Sequence, residues 1–114
     1  MKAVIVEDEL IAAQNLQRLI QQVDSDIEVI VVLQSVEESI EWFMLHPAPE
    51  LVFMDIHLAD GSSFSIFEKV EISCPIIFTT AYDEYALKAF EVNSIDYLLK
   101  PISLKNFERA LSKF

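Results

Sequence analysis

The sequence predicts a doubly wound α/β domain, one parallel sheet with helices on both faces. Three observations predict it. Short apolar, often β-branched runs recur at Lys2–Val6, Ile27–Leu33, Leu51–Met54, Ile76–Thr79 and Asp96–Leu99. The segments between them carry apolar residues at helical spacing, so strand and helix patterns alternate strictly. The run Leu51-Val52-Phe53-Met54 has no polar alternation, the mark of a strand buried on both faces. Such alternation calls for parallel strands joined by right-handed crossovers.

The elements follow in order. Strand one, Lys2–Val6, ends in Glu7-Asp8-Glu9. Helix one follows, with Ala12, Leu16, Leu19 and Val23 inward and Gln14, Gln17, Arg18 and Gln21 outward, and Asp24-Ser25-Asp26 breaks it. Strand two is Ile27–Leu33. Ser35 caps helix two, with Glu38 three residues on as in a capping box. That helix turns Ile40, Phe43 and Met44 inward, leaves Glu37, Glu38 and Glu41 on a solvated face, and stops at His46-Pro47. Strand three, Leu51–Met54, runs into Asp55. The sole glycine, Gly61, follows Asp60, a turn pair that marks positive φ beside Asp55. Helix three is expected over Ser63–Glu71, and Pro75 opens strand four, Ile76–Thr79. Asp83 caps helix four, which buries Ala86, Leu87 and Phe90 and ends near Asn93. Strand five, Asp96–Leu99, precedes Lys100-Pro101, and Ser103 caps a last helix with Leu104, Phe107 and Leu111 on one side.

Composition narrows the function. A chain of 114 residues, 53% hydrophobic and 24% charged, fits one globular domain spanning 1–114. A net charge of −11 argues against gripping a phosphate backbone directly. The apolar runs are too short to cross a bilayer and no secretory leader opens the chain, so the expected location is the cytoplasm, away from membranes. The lone Cys74 cannot form an internal disulfide and reads as a small packing residue at a strand start.

Parallel strands share a carboxyl end, where α/β sheets place their ligands. Strand one brings Glu7 and Asp8 there, strand three Asp55, strand four Thr79 and Thr80, and strand five Lys100. Gathered carboxylates repel one another, and a hard divalent cation relieves the repulsion. Mg2+ suits such a site because it takes oxygen ligands, needs few carboxylates and keeps exchangeable waters. Glu9 reads as a favourable charge near a helix N-terminus. Strand alternation sends Thr79 and Thr80 to opposite faces. His46 reads as a surface residue. Tyr85, Phe90 and Phe107 read mostly as core.

Glu7-Asp8, Asp55, Thr80 and Lys100-Pro101, in this order and spacing, resemble the receiver domain of two-component response regulators across essentially the whole chain. The segments Phe78–Glu91 and Asp96–Ile102 resemble the LytTR subgroup in particular. The resemblance implies a flavodoxin-like (βα)5 sandwich with strand order 2-1-3-4-5. It implies that Asp55 accepts a phosphoryl group from a sensor histidine kinase as an acyl phosphate. Asp8, Asp55 and the backbone carbonyl of His57 would bind Mg2+, with Glu7 acting through a metal-bound water. Lys100 would pair with the carboxylate and then with a phosphoryl oxygen, and Thr80 would turn its hydroxyl to that group. Tyr97 would be the aromatic switch, and Lys100–Pro101 a cis peptide. The side chains of His57 and Tyr82 are expected to flank the pocket.

The domain is thus expected to be a phosphoacceptor switch with self-catalysed transfer and dephosphorylation, not a conventional enzyme. The resemblance further implies a transcriptional output through a C-terminal DNA-binding domain beyond this chain, and a homodimer through the helix four–strand five–helix five face. A haloacid dehalogenase-type phosphatase would want a second aspartate where His57 stands. One glycine rules out a glycine-rich nucleotide loop. A pseudo-receiver that binds partners without phosphorylation is the remaining alternative.

Overall fold

The computed structural model describes residues 1–81 and 94–114. Helix four, with Asp83, Ala86, Leu87, Phe90 and Asn93, lies outside the described residues, as do Tyr82 and Tyr85. The sheet strands are β1 (Lys2–Val6), β2 (Glu28–Leu33), β3 (Leu51–Asp55), β4 (Ile76–Thr80) and β5 (Ser94–Leu99). All neighbours pair in parallel, in the order β2-β1-β3-β4-β5 that the family resemblance implies. β3 and β4 are buried at every residue, as unalternating apolar runs require.

Period-two alternation splits the core into two layers. Val4, Val6, Val52, Met54, Ile76 and Phe78 face one side, packed with Val36 of α2 (Val36–Leu45) and Ile66 of α3 (Ile66–Lys69). Ala3, Ile5, Leu51, Phe53 and Ile77 face the other, packed with α1 (Leu10–Val23) and the C-terminal helix Leu104–Ser112. Phe53 stacks on Phe107 with centroids 5.7 Å apart, fixing that last helix to the sheet centre.

The helix faces differ in detail from expectation. α1 buries Ala13, Leu16 and Ile20, a stripe offset from Ala12 and Leu19, which are half-buried. In α2 the inward residues are Val36 and Ser39, with Ile40 and Phe43 half-buried, while Met44 is 69% exposed. The C-terminal helix buries Phe107 and Ala110, and Leu104 is exposed. Helix three is shorter than its pattern. A 3-10 turn over Ser63–Ser65 leads into α3, and the chain turns extended at Val70. From there Glu71, Ile72, Ser73 and Cys74 alternate out and in, which buries Ile72 and Cys74 just beyond the expected helix.

Between β3 and the 3-10 turn the chain makes a small antiparallel ladder, His57–Leu58 against Gly61–Ser62. Gly61 sits at φ +141°, outside the range of ordinary L-residues. A Cβ there meets nothing within 4 Å, so only backbone strain opposes a side chain. Gly61→Ala is therefore expected to cost about 1–3 kcal/mol in urea unfolding without a change in fold, and an unchanged midpoint would contradict it.

Candidate functional site

The sheet's register brings the chemistry to one edge. Thr79 pairs with Asp55 across β3–β4, and Thr80 with Leu99 across β4–β5. Two backbone bonds then pin the residues that follow β1 and β5. The Glu7 N–H donates to the Leu33 carbonyl at 2.8 Å, and the Lys100 N–H donates to the Thr80 carbonyl at 2.7 Å. The Lys100–Pro101 peptide is cis, as the resemblance implied.

On this frame Lys100 reaches in and bridges two carboxylates. Its Nζ lies 2.5 Å from Glu7 Oε1 and 3.0 Å from Asp55 Oδ2. Both acids are buried, Glu7 at 3% and Asp55 at 6% exposure. Asp55 Oδ1 accepts from the His57 N–H at 3.3 Å, and Glu7 Oε2 from the Glu9 N–H at 3.2 Å. Burial pushes the Glu7 carboxyl up to about 7, aided by the Asp55 charge and opposed by its hydrogen bond to Lys100. Burial alone would lower Lys100, but its contacts with Glu7 and Asp55 outweigh that and raise it. The two directions agree: one ammonium serves two acids, so it holds its proton firmly while Glu7 remains under-neutralised.

The residues expected at the site are largely brought together. Glu7, Asp8 and Asp55 can each offer an oxygen, all within 4.8 Å of one another. Three carboxylates facing one ammonium are electrostatically incomplete, and an all-oxygen donor set of this size fits Mg2+. Thr80 is fully buried at the end of β4, and Thr79 is buried too. Tyr97, on β5 opposite Phe78, is half-buried against the α2–α3 side of the core. His57 is exposed beside Asp55.

One residue of this region escaped the sequence. Asp60, at the tip of the loop that leaves Asp55, accepts from the Val36 N–H at 2.8 Å and the Glu37 N–H at 3.1 Å. Its only local signal is the Asp-Gly turn pair.

The chain matches the response regulator receiver domain over residues 3–112. It is 37% identical to sensory transduction protein LytT of Bacillus cereus, covering 100% of this chain and 47% of that protein. It is 40% identical to sensory transduction protein LytR of Staphylococcus haemolyticus, covering 99% of this chain and 44% of the relative. The chain thus spans about half the length of the curated relatives it matches. Among solved structures, the response regulatory domain of protein mrkE from Klebsiella pneumoniae superposes with a TM-score of 0.86 at 28% identity, over 99% of this chain and 93% of that one. Receiver domains bind Mg2+ at an acidic pocket, and this chain has an acidic cluster in Glu7, Asp8 and Asp55. With the sheet order, the pocket and the match all in agreement, the chain belongs to the response regulator receiver domain family.

Proposed function

We propose that Asp55 is the phosphoryl acceptor of a Mg2+-dependent phosphorelay and that its modification switches the domain. The observation that carries this reading is the Asp55 carboxylate, buried at the sheet's carboxyl edge, held by Lys100 Nζ and sharing oxygen-ligand distance with Glu7 and Asp8. The donor is the phosphohistidine of a sensor histidine kinase. An Asp55 oxygen forms the new P–O bond, the P–N bond breaks, and the departing imidazole keeps the electron pair and takes a proton from solvent. Asp8, Asp55 and the His57 carbonyl would hold Mg2+, with Glu7 acting through a water, and the ion would supply charge neutralisation to the transferred group.

The chain's own residues do the rest. Lys100 orients the acceptor oxygen before transfer and faces the added charge after it. Asp55 then carries up to roughly two negative charges where one stood. Thr80 turns its hydroxyl toward them, and Tyr97 follows as the aromatic switch. Water reaching the same site returns the domain to its resting state, so the self-catalysed reactions serve a signal.

A relative from Staphylococcus aureus, 34% identical over 99% of this chain, is named transcriptional regulatory protein LytR. We extend that output here through a C-terminal DNA-binding domain beyond residue 114, since a domain of charge −11 is a poor DNA ligand itself. Among described residues no helix is long and apolar enough to cross a membrane, in keeping with a cytoplasmic switch. Dimerisation through the helix four–strand five–helix five face is the proposed partner step; Leu99 and Leu104 are exposed in its described part. Sedimentation with beryllofluoride should then show dimer, and monomer alone at high concentration removes that step.

The testing experiment is incubation with acetyl phosphate. The intact mass should rise by one phosphoryl group with Mg2+ and not with chelator. A protein that gains none under either condition is the pseudo-receiver instead.

A further inference from the structure

The loop that leaves Asp55 is clamped at both ends. At its root Ile56 is fully buried, and the Ser63 N–H donates to the Ile56 carbonyl at 2.8 Å. Its arms pair as the His57–Leu58 and Gly61–Ser62 ladder. At its tip the Asp60 carboxylate spans the first two amides of α2, one oxygen to each. Ser35 Oγ takes the next amide, that of Glu38, at 3.0 Å. Three otherwise unpaired N–H groups at that helix end are thereby satisfied, two of them by a residue more than twenty positions away. The contact holds Asp60 in its charged form, mainly through the Val36 amide, although the side chain lies in solvent.

We propose that Asp60 is a positioning residue: by docking the loop tip on α2 it fixes the His57 backbone relative to Asp55, and so couples α2 to Mg2+ binding and phosphoryl uptake. The inference rests on the reading of Asp55 as acceptor. A ladder anchored only at its root can rock at its Asp60 tip, and the His57–Ser62 pair that joins the tip to the root takes up that motion. Supporting groups one shell beyond a metal's ligands commonly govern affinity by about 10- to 100-fold. Coupling of this kind is reciprocal, so Mg2+ must also tighten the Val36 and Glu37 amides.

Ser35 supplies the control. Ser35→Ala weakens the same helix end but leaves the loop docked. Mg2+ affinity is measured by calorimetric titration of the whole chain, without any phosphodonor, for wild type, Asp60→Ala, Asp60→Asn and Ser35→Ala. Asp60→Ala is expected to weaken Mg2+ about tenfold or more, with acetyl phosphate uptake slowed chiefly at low Mg2+. Asp60→Asn, which keeps one acceptor oxygen, should be rescued in part, and Ser35→Ala should match wild type. Mg2+ should slow hydrogen exchange at Val36 and Glu37 in wild type and not in Asp60→Ala.

Wild-type affinity in Asp60→Ala, or equal weakening in Ser35→Ala, overturns the proposal while leaving Asp55 its role. Should Asp60→Ala not fold, Asp60→Asn decides, and an unweakened affinity there also overturns it. A wild-type protein that neither binds Mg2+ nor gains mass removes the acceptor reading and this one with it.

Discussion

Asp55→Asn is expected to abolish the Mg2+-dependent mass gain from acetyl phosphate while preserving the fold. An amide matches the carboxylate in shape but has no anionic oxygen to attack phosphorus. The loss is therefore of the reaction, not of a fraction of its rate. The fold should tolerate the change, because the replacement removes one of three crowded carboxylates. Lys100 keeps Glu7 as a partner at 2.5 Å. The Asp55 charge is one of the causes that raise Glu7, so Glu7 should titrate lower in the variant than its value of about 7. Intact mass reads the first effect, and carboxyl NMR titration in chelator the second. Equal mass gain in both proteins rejects Asp55 as the acceptor. An unmoved Glu7 would show that the two acids do not feel each other.

The strands were legible because burial on both faces leaves a continuous apolar signature, and Asp55 stood out because such a run ended in a charge. Lys100 was legible by topology, since parallel strands deliver their following residues to one edge. Helix faces were less so. α1 turned toward the sheet by a fraction of a turn, putting Ile20 and not Leu19 at full burial. Met44 and Leu104 fit an apolar stripe by spacing, yet both are exposed. Asp60 was hidden for another reason. Its partners are the amides of Val36 and Glu37, and a backbone N–H has no letter in the sequence. Glu7 was assigned through the family to a metal-bound water, and its direct contact with Lys100 spans 93 positions, a pairing no local spacing reveals.

Lys100→Met is expected to slow phosphoryl uptake by about 10²–10³-fold, the usual cost of removing one placed group that stabilises developing charge. It should also change how stability depends on pH, and the sign follows from Glu7. In the wild-type fold Glu7 lies at about 7, above the ordinary 4.5. Between those values the folded state binds the proton better than the unfolded chain does. The stability this contributes is complete below 4.5 and is lost as pH rises through about 7. In chelator, wild-type stability should thus fall from pH 5 to 8, by at most about 1.4 kcal/mol per pH unit for one group. Lys100 pulls Glu7 down through its hydrogen bond and its charge, so its removal raises Glu7 further and carries the decline to higher pH. Where Glu7 and Asp55 are both ionised, the unpaired buried charges should cost about 3–5 kcal/mol. Below that range the proton on Glu7 spares much of it, so the gap between the proteins widens with pH. Denaturant unfolding at pH 5, 7 and 9 measures it, with Glu7→Gln as the control that should flatten the wild-type curve. Saturating Mg2+ should restore stability most at high pH, where it meets carboxylates already ionised. A gap constant across pH would mean that Lys100 acts through packing of its aliphatic stem and not through the charge it places between the two acids.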